Sequence, residues 1–172
     1  MSSPIQKFIH DYKELNDFLM SKGQFSSSVD VNEHYRKILL LSCASYYETQ
    51  IIDILKMFVK VNTNDDRIVS FMSNKAIKRQ YYTYFNWDQT NNINSFLGLF
   101  GDEFKTTISN EIKENSNLSL QVKAFLEIGS ERNKMVHQNF LEYKLDKTFD
   151  EIVELNNKAQ MFIEYIRKIL CG

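Results

Sequence analysis

The chain has 172 residues, 43% of them hydrophobic, and its 21 Lys and Arg against 22 Asp and Glu give a formal net charge of −1. That length buries a core without help from disulfides or metal, and near-neutrality excludes a global electrostatic pull towards nucleic acid or an anionic membrane. With 5 Gly and 1 Pro, the punctuation of a many-turned β architecture is missing, so the expectation is all-α, with residues 1–172 as a single domain.

Ile5, Phe8, Ile9, Tyr12, Leu15, Phe18 and Leu19 recur at three and four spacing after Pro4 and predict a helix ending near Gly23. The N-terminal MSSPIQKFIHDYKE mixes charge into its apolar positions, unlike a secretory segment, and no run of about 18 uncharged apolar residues follows. A cytoplasmic protein without a membrane partner is expected. The stretch GQFSSSVD reads as a loop, and Asp30 with Glu33 resembles a capping box opening a helix to about Val61, roughly 45 Å long. Its middle, Ile38 to Phe58, is apolar on more than one side, which places it at the centre of the fold. Cys43 in that run and Cys171 near the C-terminus have neither a disulfide-framework nor a zinc spacing and read as reduced thiols.

After NTNDD a shorter helix carries Ile68, Val69, Phe71 and Met72, and KRQYYTYFNWDQTNN reads as an irregular connection. NINSFLGLF is a short helix stopped at Gly101, and DEFKTTISNEIKE forms another. Asp65–Asp66 and Asp102–Glu103 read as negative helix starts with no metal-ligand pattern around them. A break at Asn115 to Asn117 precedes the stripe Leu120, Ala124, Phe125 and Ile128, which leads into ERNKMVHQNF. Thr148 and Glu151 form a T-x-x-E box opening a closing helix with Phe149, Ile152, Val153, Phe162, Ile163, Ile166 and Leu170 on its inner face.

Within ERNKMVHQNF, Arg132 and His137 are the candidate catalytic pair. Five residues of ideal helix separate them by roughly 7.5 Å along the axis and about 140° around it, so they flank one surface while Ile128, Met135 and Val136 anchor the segment. Arginine is a permanently charged fork suited to phosphate, and histidine is the side chain that exchanges a proton near neutrality. RNA carries its own nucleophile in the 2′-hydroxyl, so a base, an acid and a cation suffice for phosphodiester cleavage, with no metal or other cofactor implied. One chain supplies a single histidine here. A two-fold dimer apposing two such segments supplies two.

The motif R-N-K-M-V-H resembles the R-x4-6-H signature of the HEPN superfamily. Together with SYYETQI on the long helix and FNWDQTNNINSFLGLFG, it resembles the RiboL-PSP type of HEPN domain over approximately Val31 to Leu170, the resemblance not reaching the N-terminal helix in residues 1–25. The resemblance implies an up-and-down helical bundle that dimerises and cuts RNA, tRNA among the candidate targets, in toxin, abortive-infection or other antiviral defence systems, sometimes beside an antitoxin. It implies that Arg132 contacts the scissile phosphate and that His137 is the general acid or base. Asn133 matches the polar position after the arginine, and Glu48 matches an acidic position that orients it. The alternative is a non-catalytic HEPN-type module that binds nucleotide or RNA, or dimerises within a defence complex.

Plainer readings stand beside these. An arginine and a histidine at a helix end also serve as surface charges complementing the helix dipole. Glu48 is either a buried partner for a cation or a residue on the helix's one wet stripe. Lys78 and Arg79, interleaved with Tyr81, Tyr82, Tyr84, Phe85 and Trp87, suit RNA backbone binding with base stacking, or else the aromatics simply pack the loop onto the bundle. Lys134 beside the motif is the nearest candidate for holding RNA. His10 and His34 read as surface or satisfied structural residues.

Overall fold

The computed structural model describes residues 4–89 and 91–172, and every regular element among them is helical. The fold is the expected all-α, up-and-down bundle. Helix α1 (Pro4–Ser21) begins at its proline, and the chain reverses through Gly23 at φ 69°, a left-handed conformation that glycine adopts without steric cost. The Gln24 amide closes the turn onto the Leu19 carbonyl at 2.9 Å.

Helix α2 then starts at once, Phe25–Asn62, and at about 57 Å it is longer than expected. The loop assigned to GQFSSSVD shrinks to Gly23 and Gln24. Ser28 is buried inside the helix with its hydroxyl donating to Asn16 Oδ1 at 2.7 Å, so α1 rather than local propensity holds this turn. The Asp30–Glu33 capping box does not form: Asp30 is intrahelical, its carbonyl accepting from His34 Nδ1, and Glu33 lies 3.5 Å from the buried ammonium of Lys37.

Helix α7 (Ser116–His137) and helix α8 (Phe149–Cys171) pack on each other and on α2, and α1 lies against α2. Leu39, Leu40, Cys43, Tyr47, Ile51 and Ile54 of α2 are covered in this arrangement, whereas Ile38 and Met57 at the ends of the apolar run are exposed. Over 18 residues α2 reaches a mean hydropathy of 1.2, and by length and composition it is apolar enough to cross a membrane. The buried residues among those apolar side chains belong to the hydrophobic core. At its centre Asn156 takes the Tyr47 hydroxyl at 2.7 Å and the Cys43 thiol at 3.3 Å, satisfying polar groups that burial would otherwise penalise. Burial pushes that thiol up to about 12, and both cysteines are free.

The connection from α2 to α7 is assembled from short pieces. Helix α3 (Asp66–Met72), capped by Asp65, runs into a wide π turn over Ser73–Ile77; Ile68 and Phe71 remain exposed. Arg79 takes φ 68°, and helix α4 (Tyr81–Tyr84) follows. Tyr81, Tyr84, Phe85 and Trp87 are buried, so the packing reading holds for four of the five aromatics, and Tyr82 alone is exposed. Thr90 of this segment, like residues 1–3, lies outside the described residues. Helix α5 (Asn94–Leu97) tightens into a 3-10 turn before Gly101 at φ 101°, and helix α6 (Asp102–Glu114) ends at Asn115. The expected break at 115–117 is Asn115 alone, whose side chain accepts the Leu118 amide at 3.1 Å and caps α7. Leu120 points out of the α7 stripe, while Leu118, Val122 and Leu126 join Ala124, Phe125 and Ile128 inside. The Thr148–Glu151 capping box forms as read.

Candidate active site

Helix α7 carries the motif on its last two turns and ends at His137, with Gln138 extended. Ile128 and Met135 anchor these turns in the core; Val136, expected to do the same, is exposed. The chain beyond the helix is held by Lys37 of α2, only 2% exposed, which donates to the Phe140 and Leu141 carbonyls at 3.3 and 3.4 Å. The end of α7 is therefore fixed from within the bundle.

Arg132 is half-buried, its guanidinium carbon 4.3 Å from the centre of the Tyr82 ring, a cation–π arrangement. The Tyr82 hydroxyl donates to Glu48 Oε2 at 2.7 Å, so the half-buried carboxylate meets the arginine through an aromatic ring. Glu48 is thus half-buried and reaches the arginine only through the Tyr82 ring. Burial and the Glu48 bond push the Tyr82 phenol up to about 12, opposed by the Arg132 charge. Arg132 also donates to Asn133 Oδ1 at 3.0 Å.

Asn133 and His137, four residues apart, line an open groove of 490 Å³ with Thr83, Phe85, Asn86, Trp87, Asp88 and Ser95. His137 is exposed. Within one chain Arg132 rests on Tyr82 while His137 lines the groove, and Asn133 is bonded to the first and lines the groove with the second. The groove's wall depends on a close approach: a Cβ on Gly129 would lie 2.0 Å from Trp87 Cζ3, so only glycine admits the indole here. The same indole donates to the Tyr82 carbonyl at 3.0 Å, tying the groove wall to the arginine's platform.

Lys134, the expected RNA contact, is paired to Glu131 at 2.7 Å, and Tyr143 donates to the other oxygen of that carboxylate at 2.7 Å. Burial would raise the Glu131 pKa, but the Lys134 and Tyr143 bonds, with Lys134 and Lys147 charges nearby, hold it below the usual 4.5. A depressed folded-state value contributes stability above the ordinary glutamate range and loses it as pH falls through the lowered value. Acid titration of the wild type and Glu131→Gln, followed by thermal melting, should show the variant less stable near neutral pH and the gap closing as pH falls below the ordinary glutamate range.

Lys78 and Arg79 are exposed on the turn entering α4; the Lys78 ammonium reaches Asn74 Oδ1 at 3.2 Å, and no hydrogen bond among the described residues joins either to the motif. His10 and His34 are surface residues, bonded to Glu14 and to the Asp30 carbonyl. No group of three or more His, Cys, Asp or Glu residues that could hold a metal ion occurs among the described residues. Tyr82 as a platform, Lys37 and the Gly129–Trp87 contact escape sequence reasoning; a glycine in the middle of an amphipathic helix, with a single tryptophan in the chain, is the signal that points to the last.

No curated protein and no solved structure matches the chain. The model of the family described as RiboL-PSP-HEPN matches residues 6–172, taking in the N-terminal helix that the motif resemblance left out. HEPN-type domains of this kind are all-α nuclease or RNA-binding modules. By this match over nearly its whole length, the chain belongs to the RiboL-PSP-HEPN family.

Proposed function

We propose that the chain is a metal-independent endoribonuclease of the toxin or antiviral defence type, acting on RNA in the cytoplasm through an Arg132/His137 site completed by a second copy. The observation that carries this reading is the seating of Arg132 on Tyr82, with Asn133 linking it to a groove that His137 borders. A base takes the 2′-hydroxyl proton, the 2′-oxygen attacks phosphorus, and the 5′-oxygen leaves with a proton from the acid. The products are a 2′,3′-cyclic phosphate and a 5′-hydroxyl. Arg132 stabilises the charge that grows on the phosphoryl oxygens, and the two histidines of a two-fold dimer divide the proton transfers. Lys78 and Arg79 are exposed cations that would hold the flanking backbone, and Lys134, nearest the motif, would do so by exchanging Glu131 for phosphate. An antitoxin or other defence component is the kind of partner that would restrain such an activity.

Purified protein in excess EDTA is expected to cut RNA and leave cyclic-phosphate ends. Cleavage that stops in EDTA and returns with magnesium would overturn the reading. The second reading is an RNA- or nucleotide-binding HEPN module without cleavage, favoured by the single histidine that one chain presents at the motif; it predicts motif variants that alter binding where no cutting occurs.

A further inference from the structure

The groove beside His137 carries chemistry that phosphate binding does not use. Asp88 is exposed on its lining, and a carboxylate opposite a phosphate would repel it, so the backbone belongs on the Arg132 side and something else belongs against Asp88. An ionised carboxylate only accepts hydrogen bonds. Asn86, two residues earlier on the same turn, has its Oδ1 taken by the Asp88 amide at 3.2 Å, which leaves Nδ2 as the end of that amide outside the turn. The pair therefore offers one acceptor-only group beside one donor.

Among the RNA bases only guanine presents the complement on its Watson–Crick edge: two adjacent donors, N1–H and the N2 amino group, next to the O6 acceptor. Adenine and cytosine each offer one donor beside an acceptor, and uracil places its single donor between two acceptors. Unstacked bases of single-stranded RNA are read on this edge, with aromatic side chains supplying apolar surface. Trp87, fixed against Gly129, lies on the lining between Asn86 and Asp88. At 490 Å³ the groove has room for a nucleotide.

We infer that this groove is a guanine subsite, in which Asp88 and Asn86 read the base of a nucleotide adjoining the scissile phosphate. This deepens the ribonuclease reading and rests on it for the position of the cut. The base chemistry can be tested without cleavage, because the chain has one tryptophan, and it forms part of the groove.

Two measurements decide it. Wild type and Asp88→Asn are incubated in EDTA with a random single-stranded RNA pool and the ends sequenced. Wild-type cuts should concentrate on guanine at one fixed position next to the broken bond, by about tenfold, and Asp88→Asn should flatten that preference. Separately, guanosine 3′-monophosphate should change tryptophan fluorescence at about tenfold lower concentration than the other three nucleotides, with the advantage lost in Asp88→Asn, whose circular dichroism stays helical. If RNA is cut with no guanine preference, or with one that Asp88→Asn leaves intact, the subsite is refuted while the nuclease stands. If nothing is cut yet guanosine monophosphate binds preferentially, the nuclease falls and the subsite stands. Equal titrations by all four nucleotides refute the subsite in either case.

Discussion

His137→Ala is expected to slow RNA cleavage by about 10²–10⁴-fold, the range that general acid–base catalysis supplies. The side chain is exposed at the final residue of α7 and takes no part in the core, so melting temperature should change little. Arg132→Ala should be comparably inactive, and Arg132→Lys should recover only part of the loss. An ammonium keeps the charge, yet it has neither the planar fork that grips phosphate nor the flat face that rests on Tyr82. Initial rates on a defined RNA, with helicity checked by circular dichroism, measure all three. Titrating wild type with excess His137→Ala adds the symmetry test, because mixed dimers would carry one histidine and the rate should fall below simple dilution. A His137→Ala protein that cuts within a factor of two of wild type would end the catalytic assignment.

Gly129→Ala is expected to damage both stability and activity through one methyl group. The added carbon would sit 2.0 and 2.3 Å from Trp87 Cζ3 and Cε3, contacts that force the indole out of its seat. Overpacking of this kind costs about 1–3 kcal/mol, and each kcal/mol lowers the melting temperature of a domain this size by about 2–4 °C. Activity should fall further than stability accounts for, since the displaced indole also releases the Tyr82 carbonyl and with it the surface under Arg132. Pairing the change with Trp87→Leu separates the two effects. Space returns, so the double variant should be more stable than the sum of the single costs, while activity stays low. Additive melting temperatures would mean that the helix and the indole do not compete for that space.

Much of the site was legible from local signals. Apolar spacing followed by Arg132 and His137 marked a basic helix end, and Asn115, Gly101 and the Thr148–Glu151 pair mark boundaries as capping chemistry says they should. What was illegible depends on partners distant in sequence. Three serines in GQFSSSVD argue for a loop until Asn16 of the preceding helix receives Ser28, and Asp30 looks like a cap only if the helix has not already begun. The stacking of Arg132 on Tyr82 joins residues 50 positions apart (132 − 82). Glu131 lies one helical turn before Lys134, a pairing that local spacing allows, but Tyr143, which takes the other oxygen of that carboxylate, reaches it only once the chain has turned past His137. Local rules locate helices and their ends. They do not say which face of an aromatic segment a neighbouring helix leaves uncovered.

The Lys37 ammonium has a bearing on how a substrate arrives. Its hydrogen bonds to the Phe140 and Leu141 carbonyls fasten the segment just past α7 to the central helix α2, and bonds to a charged group are worth about 1.5–3 kcal/mol each. Folding that segment down over a bound ligand would break them and leave the buried Lys37 ammonium without those partners. On the proposed reading, RNA would therefore meet a standing cleft rather than one that closes over it.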